Sequence, residues 1–370
     1  MKRRDWLKNA SIAAGAAAFS PRILSGQEGG AASSARDFVN LSINENQFGP
    51  SPRAIAAAQA NAKFGHEYPL ETQDQLKRLI AAREKVRPSQ VILGAGSSDV
   101  LMGMSNALGG RGGNIVSSDP SFGPLMAWAA KFGVEHIKVP WTENGEVDLE
   151  RIERSITDET QIAYICNPEN PVGTVISKSE LAAFCRRVSE RCPVLVDEAY
   201  LDFAGDADQL GMMDCVREGL PVVVLRTFSK AYGLGGMRVG YAVTSEELAS
   251  RISQYYVTGI GCGCSRVSLE AAIAAYEDRD WLSQVRQRTN ANRTEFCRFL
   301  RERELAYFSS STTFVLFPVP VDSQRIADAV YGGFRIKISP RNYYDRNYLR
   351  VSIGTRQQMR DLQNALSYVL

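Results

Sequence analysis

Between residues 74 and 256 the chain alternates between two hydrophobic rhythms. Short continuous apolar runs at 91–93, 161–165, 193–196 and 221–225 are rich in Val, Ile and Leu and read as strands buried on both faces. Between them lie longer stretches, such as 75–84 and 179–190, in which apolar residues return every three to four positions, as on a helix with one buried face. This alternation predicts a mostly parallel sheet covered by helices. A long helical pattern opens at 267, just past Gly259-Ile-Gly-Cys-Gly-Cys264, which reads as a joint. Strands near 313–317 and 349–353 complete a smaller α+β domain, and there is no internal repeat.

Composition narrows the function classes. At 370 residues the chain can build two domains with large cores. Its 43 basic and 41 acidic residues nearly balance, with no basic block, so nothing points to nucleic acid. Two histidines, His66 and His136, leave no histidine-rich metal site, and no metal is expected. Seven scattered cysteines read as mostly buried thiols, with a disulfide left open.

The N-terminus departs from this picture. Met1-Lys-Arg3-Arg4 opens a charged stretch, and a short, weakly apolar run follows to Phe19. That run is too short for an ordinary membrane span. The paired arginines resemble a twin-arginine export signal, which implies the twin-arginine translocation machinery and a periplasmic destination. An uncleaved anchor, or a cytoplasmic chain with a chance basic start, are the alternatives. Cleavage is expected within 25–35.

The carboxyl ends of the predicted strands carry the chemistry. After 221–225 comes Arg226-Thr-Phe-Ser229-Lys230-Ala-Tyr-Gly-Leu-Gly-Gly-Met-Arg238. One lysine among hydroxyls and glycines, with an arginine eight residues on, is what a lysine aldimine of pyridoxal phosphate needs. The amine bonds the aldehyde while Ser229 and Arg238 hold the phosphate. The strand at 193–196 ends in Asp197, with Tyr200 three residues on. Asp197 reads either as the partner of a protonated pyridine nitrogen or as a helix N-cap. Tyr200 and Asn170, the latter in Cys166-Asn-Pro-Glu-Asn170-Pro-Val-Gly173, can bond the ring's phenolic oxygen. That last segment also reads as a plain turn. Gly94-Ala-Gly96-Ser97-Ser98 opens a helix whose N–H groups suit a phosphate. Phe122 is a stacking ring or a core aromatic. Arg350, alone in an apolar strand, grips a carboxylate or makes an ion pair.

These motifs resemble the histidinol-phosphate aminotransferase family of fold-type-I pyridoxal-phosphate enzymes, from about residue 40 to the end. Ser229-Lys-Ala-Tyr-Gly-Leu-x-Gly-x-Arg238 is similar to its cofactor-lysine signature. Asn40-Leu-Ser-Ile-Asn44-Glu-Asn46 and the residues to Pro52 are similar to its opening motif. Glu169 and Val172 depart from the family's Asn-Pro-Asn-Asn-Pro-Thr-Gly. The resemblance implies an α/β fold divided into a leader (1–35), an entrance segment (36–64), a large cofactor domain (65–258) and a small domain (259–370). It implies a homodimer in which Tyr68 reaches the partner's cofactor phosphate. Arg350 and Asn46 then serve the substrate, and Lys337 stands where a second substrate arginine is usual, with Arg335 or Arg341 as substitutes.

The expected reaction moves an amino group between an amino acid, or a similar amine, and a 2-oxo acid, with Lys230 shuttling the proton. A carboxylate-bearing donor is expected to outrank histidinol phosphate, because Lys337 lacks arginine's paired bonds. A decarboxylase or lyase on the same framework, and a non-catalytic exported protein that binds the cofactor, are the alternatives.

Overall fold

The computed structural model describes residues 37–108, 112–255 and 263–370. The leader with Arg3 and Arg4, and most of the glycine-rich joint after 258, lie outside the described residues. In chain order the strands are β1 (Val39–Asn40), β2 (Val91–Gly94), β3 (Asn114–Asp119), β4 (Glu135–Pro140), β5 (Thr160–Cys166), β6 (Val194–Asp197), β7 (Val222–Thr227), β8 (Gly240–Val243), β9 (Phe314–Pro318), β10 (Ile336–Lys337), β11 (Ser339–Tyr343) and β12 (Arg346–Ser352). The fold is the α/β arrangement that the alternation predicts: a seven-stranded, mostly parallel sheet with helices, and a small antiparallel sheet beside it.

The large sheet runs β2-β8-β7-β6-β5-β3-β4. β4, β3, β5, β6 and β7 are parallel, while β8 pairs antiparallel with both β7 and β2. The strands are apolar throughout because both faces are covered. Val222 and Val224 pack into one layer with Val194 and Val196, whereas Val223 and Leu225 join Leu195 and Tyr164 in the other.

The helices follow from their capping and spacing. Ser177 accepts from the Glu180 amide and starts the helix Lys178–Val188, whose buried Leu181, Phe184, Cys185 and Val188 form one apolar stripe. The helix expected at 75–84 begins earlier and spans Leu70–Glu84, with Pro69 at its N-cap and Glu71 in its first turn. The long pattern from 267 is two helices, Arg266–Glu277 and Arg279–Arg301. Asp278 between them accepts from the Trp281 amide and caps the second.

Behind the sheet lies one buried ion cluster. The buried Arg226, at the end of β7, places Nε 2.8 Å from Glu198 and Nη1 2.8 Å from Glu84. Its Nη2 donates to the Ala207 carbonyl at 3.1 Å. The ends of β6, β7 and the helix Leu70–Glu84 are thereby joined.

The small sheet, β11-β12-β9, is covered by Arg279–Arg301, Ser323–Phe334 and Arg356–Val369. Phe296, Leu300, Val330, Leu362 and Leu366 pack there against Val315, Phe317, Leu349 and Val351. The segment before the first helix crosses both parts. β1 pairs with β10, and the Ser352 amide donates to the Leu41 carbonyl. Farther along, the Asn46 amide donates to the Ala231 carbonyl at 2.9 Å, and a Cβ at Gly233 would collide with the Gly49 backbone.

Candidate active site

The parallel strands end level. Cys166 of β5, Asp197 of β6 and Leu225 of β7 stand side by side in register. At this edge opens a cavity of about 240 Å³. It is lined by Ser97, Ser98, Phe122, Asp197, Tyr200, Ser229, Lys230 and Arg238, all singled out in the sequence, and by Cys166, Ala199 and Thr227, which were not.

One end of the cavity suits an anion. The helix Ser97–Leu108 starts there, so its free N–H groups and positive dipole end face the space. Gly96, at φ 87°, brings this turn against Arg238, and a Cβ there would strike the guanidinium. Arg238 is itself left-handed, at φ 56°, a costly conformation for an arginine. Its Nη1 donates to the Gly235 carbonyl at 2.9 Å and reaches Ser229 Oγ at 3.4 Å.

The other end holds a buried carboxylate and an amine. Asp197 is buried, accepting from the Tyr164 hydroxyl at 3.0 Å and the Ala199 amide at 3.1 Å. The next helix, Leu201–Ala204, is capped at Tyr200, so Asp197 closes a local turn and is not that helix's N-cap. Burial pushes its carboxyl from 3.8 up to about 6, with Lys230 and the two hydrogen bonds pulling back. Lys230 Nζ donates to the Asn44 carbonyl at 3.2 Å and lies 5.6 Å from the Tyr200 ring centroid. Asn44, at φ 59°, also donates to the Tyr200 hydroxyl at 2.9 Å and bonds Ser352. Asn44 and Tyr164 are thus part of the site, although the sequence reading gave neither a role. Asn44 stands within the quoted opening motif, whereas Tyr164 depends on strand pairing, which a single sequence does not reveal. Phe122 lines the cavity and packs against the core.

Arg350, on β12, closes the small-domain side. It is buried, and donates to Asn170 Oδ1 at 2.8 Å and to the Ser42 carbonyl at 3.1 Å. Its Nε has no partner among the described residues, and burial lowers its pKa. Arg341 lies opposite Tyr348 in the β11–β12 ladder, so it shares a face with Arg350, and its buried Nε is also unpartnered. Lys337 is placed elsewhere: it is exposed, with Nζ 4.4 Å and 5.4 Å from the ring centroids of Phe38 and Tyr331. Arg335 is exposed and directs Nε to the Asp37 carbonyl at 3.4 Å. Asn46 braces the lysine loop through Ala231 and is not among the cavity-lining residues. Tyr68 is 72% exposed and does not line this protomer's cavity.

The donor set fits pyridoxal phosphate. A helix N-terminus, Ser229 and Arg238 match a phosphate at one end. Asp197 and Lys230 match a ring nitrogen and an aldehyde at the other.

Comparisons with known proteins agree. Residues 36–366 match the family aminotransferase class I and II. A histidinol-phosphate aminotransferase of Staphylococcus carnosus is 36% identical over 280 residues, covering 75% of this chain and 77% of that one. Histidinol-phosphate aminotransferase 2 of Bacillus cereus is 32% identical over 87% of this chain and 85% of its own. The crystal structure of the Sinorhizobium meliloti histidinol-phosphate aminotransferase in complex with pyridoxal-5'-phosphate superposes with a TM-score of 0.83, at 27% identity over 90% of both chains. The L-threonine-O-3-phosphate decarboxylase of Porphyromonas gingivalis, at 19% identity and a TM-score of 0.77, shares the fold.

The raised Asp197 pKa has a measurable sign. The folded chain binds this proton more tightly than the unfolded chain does, so Asp197 costs stability increasingly as pH rises from 3.8 to about 6. In the cofactor-free protein, Asp197→Asn is expected to be as stable as wild type near the lower limit and more stable above the upper, by about 3 kcal/mol at most. Cofactor affinity should fall in the same variant. Urea unfolding at several pH values, with a cofactor titration, checks both; a pH-independent stability difference would refute the assignment.

Proposed function

The chain belongs to the class I and II aminotransferase family, and from that premise we propose its donor: a primary amine carrying an anionic group that Arg350 grips. It is a pyridoxal-phosphate-dependent aminotransferase, similar to the histidinol-phosphate aminotransferases. The observation that carries the donor reading is the buried Arg350 with its open Nε, beside Arg341 with another. A buried donor without an acceptor costs roughly 1–3 kcal/mol, and an anion arriving there regains it.

Each residue then has a task. Lys230 Nζ would bind the cofactor's aldehyde carbon, and its free amine would move the proton from the donor carbon. The bound cofactor supplies the electron sink for the charge left on that carbon. Asp197 keeps the ring nitrogen protonated. Asn170 Oδ1 accepts from Arg350, which leaves its amide N–H groups to donate; these and the Tyr200 hydroxyl would hold the ring's phenolic oxygen. Ser97, Ser98, Ser229 and Arg238 hold the phosphate. The same residues would serve a decarboxylase, and product analysis distinguishes the two: a 2-oxo product supports this reading, and carbon dioxide opposes it. Turnover with any donor excludes a merely binding role.

The expectation that a carboxylate outranks a phosphate draws on the export leader and on Lys337. Lys337 lies against Phe38 and Tyr331, and Arg341 is on the Arg350 face, so the lysine does not separate the two donors. A 2-amino acid and histidinol phosphate therefore compete for the same guanidiniums, and kcat/KM measured side by side ranks them. Arg350→Lys should lower kcat/KM for the better donor tenfold or more, because one point charge replaces a planar pair of donors. An unchanged value would sink the anion grip.

The exposed Tyr68 supports a dimeric site completed by the partner subunit. Lys230→Ala alone should lose turnover by several orders of magnitude. Mixing Lys230→Ala with Tyr68→Phe subunits should restore one intact site per hybrid dimer, with activity above either parent. Activity no higher than the parents' average, or an active monomer, contradicts this.

The paired arginines support export. Replacing Arg3 and Arg4 with lysine should leave precursor inside the cell, and unchanged secretion argues against a twin-arginine route.

A further inference from the structure

Glu169 replaces an asparagine of the resembled motif, and none of the roles above uses it. It sits on the turn after β5, where the Glu169 amide donates to the Thr174 carbonyl and the Gly173 amide donates to the Glu169 carbonyl at 2.6 Å. The backbone is therefore fixed and the side chain is committed inward, at 1% exposure. Oε1 accepts from Ser121 Oγ at 2.7 Å. Oε2 is buried with no hydrogen-bond partner among the described residues.

The titratable groups facing this carboxyl are all acids: Asp197 at the end of β6, Tyr164 and Cys166 on β5, and Tyr343 on β11. Ser121 immediately precedes Phe122, a wall of the cavity. One hydrogen bond thus connects the turn bearing Asn170 to the loop bearing Phe122.

We propose that Glu169 is a positioning residue for the cofactor: through Ser121 its buried carboxyl holds Phe122 in the cavity wall. This rests on the pyridoxal-phosphate reading of the cavity. The un-ionised form follows from the surroundings. A buried carboxylate with only the Ser121 hydroxyl and the Asn170 backbone N–H donating to it, and with an acidic neighbour, would be costly, and burial pushes this carboxyl well above the usual range. Loss of its proton at higher pH places a second negative charge beside Asp197. The two carboxylates then repel, and the cavity wall loosens.

The test is pyridoxal phosphate affinity, read by absorbance and fluorescence titration of cofactor-free protein from neutral to moderately alkaline pH. Wild type should weaken toward alkaline pH. Glu169→Gln keeps an acceptor for Ser121 and a neutral side chain. It should match wild type at neutral pH within about twofold and lose the alkaline weakening. Glu169→Ala and Ser121→Ala should each weaken binding about tenfold, and the double variant no further, because both cut the same connection. If Glu169→Ala folds poorly, Ser121→Ala still cuts that bond without emptying the buried site. Tight binding by Ser121→Ala, or the same alkaline profile in Glu169→Gln as in wild type, overturns the proposal while leaving the cofactor reading intact. Wild-type protein that binds no cofactor at any pH overturns both.

Discussion

The guanidinium of Arg226 is the constraint on which the site depends. It lies four residues before Lys230 and bonds Glu198, the neighbour of Asp197. The amine and the carboxylate that must address one cofactor therefore hang from a single buried ion pair. Glu84, its third member, brings in the end of a helix. Such clusters add little net stability compared with apolar packing, but removing one member strands a buried charge at about 3–5 kcal/mol. That is a large share of the roughly 5–15 kcal/mol that holds a typical protein folded. A slip of β7 against β6 would break these bonds and turn every Val222–Leu225 side chain to the wrong layer. Apolar alternation and the ion cluster thus specify the same register.

The site gathers several local costs, although buried unmet polar atoms and positive-φ residues also occur away from it, at Arg83, Trp281, Lys85 and Glu304 among others. Asp197 is buried at a raised pKa, Arg238 is held left-handed, Arg350 and Arg341 keep open donors, and Glu169 has an unpartnered oxygen. Elsewhere, charges such as Arg186 with Glu218 and Arg187 with Glu153 pair at the surface. Local strain and unmet hydrogen bonds of this kind are what a binding site commonly holds.

Much of this was legible in the sequence where local chemistry suffices. The Val-rich run ahead of Lys230, the carboxylate ending β6 and the glycine turn before Ser97 are read from adjacent residues. What depends on pairing was not. Nothing local reveals that β8 runs backward between β7 and β2, or that Tyr164 stands beside Asp197. The second arginine shows the same limit. Motif position points to Lys337, but the β11–β12 turn at Tyr344 and Asp345, both at positive φ, fixes a register that brings Arg341 to the Arg350 face. Helix starts fell short by several residues, because Pro69 and Glu71 set the N-terminus before the apolar stripe begins.

Asn44 carries a mechanical consequence. Its backbone and side chain hold Ser352 of the small sheet, and its carbonyl and amide hold Lys230 and Tyr200 of the large one. The strap from β1 to Gly49 therefore works as a tether between the substrate arginine's strand and the reacting amine. If an anion settles on Arg350 as proposed, a displacement of β12 would bear on this strap through Leu41, Ser42 and Asn44, and through Asn44 on the Lys230 nitrogen. Recognition at one end of the donor and release at the other would then be two readings of the same short piece of chain.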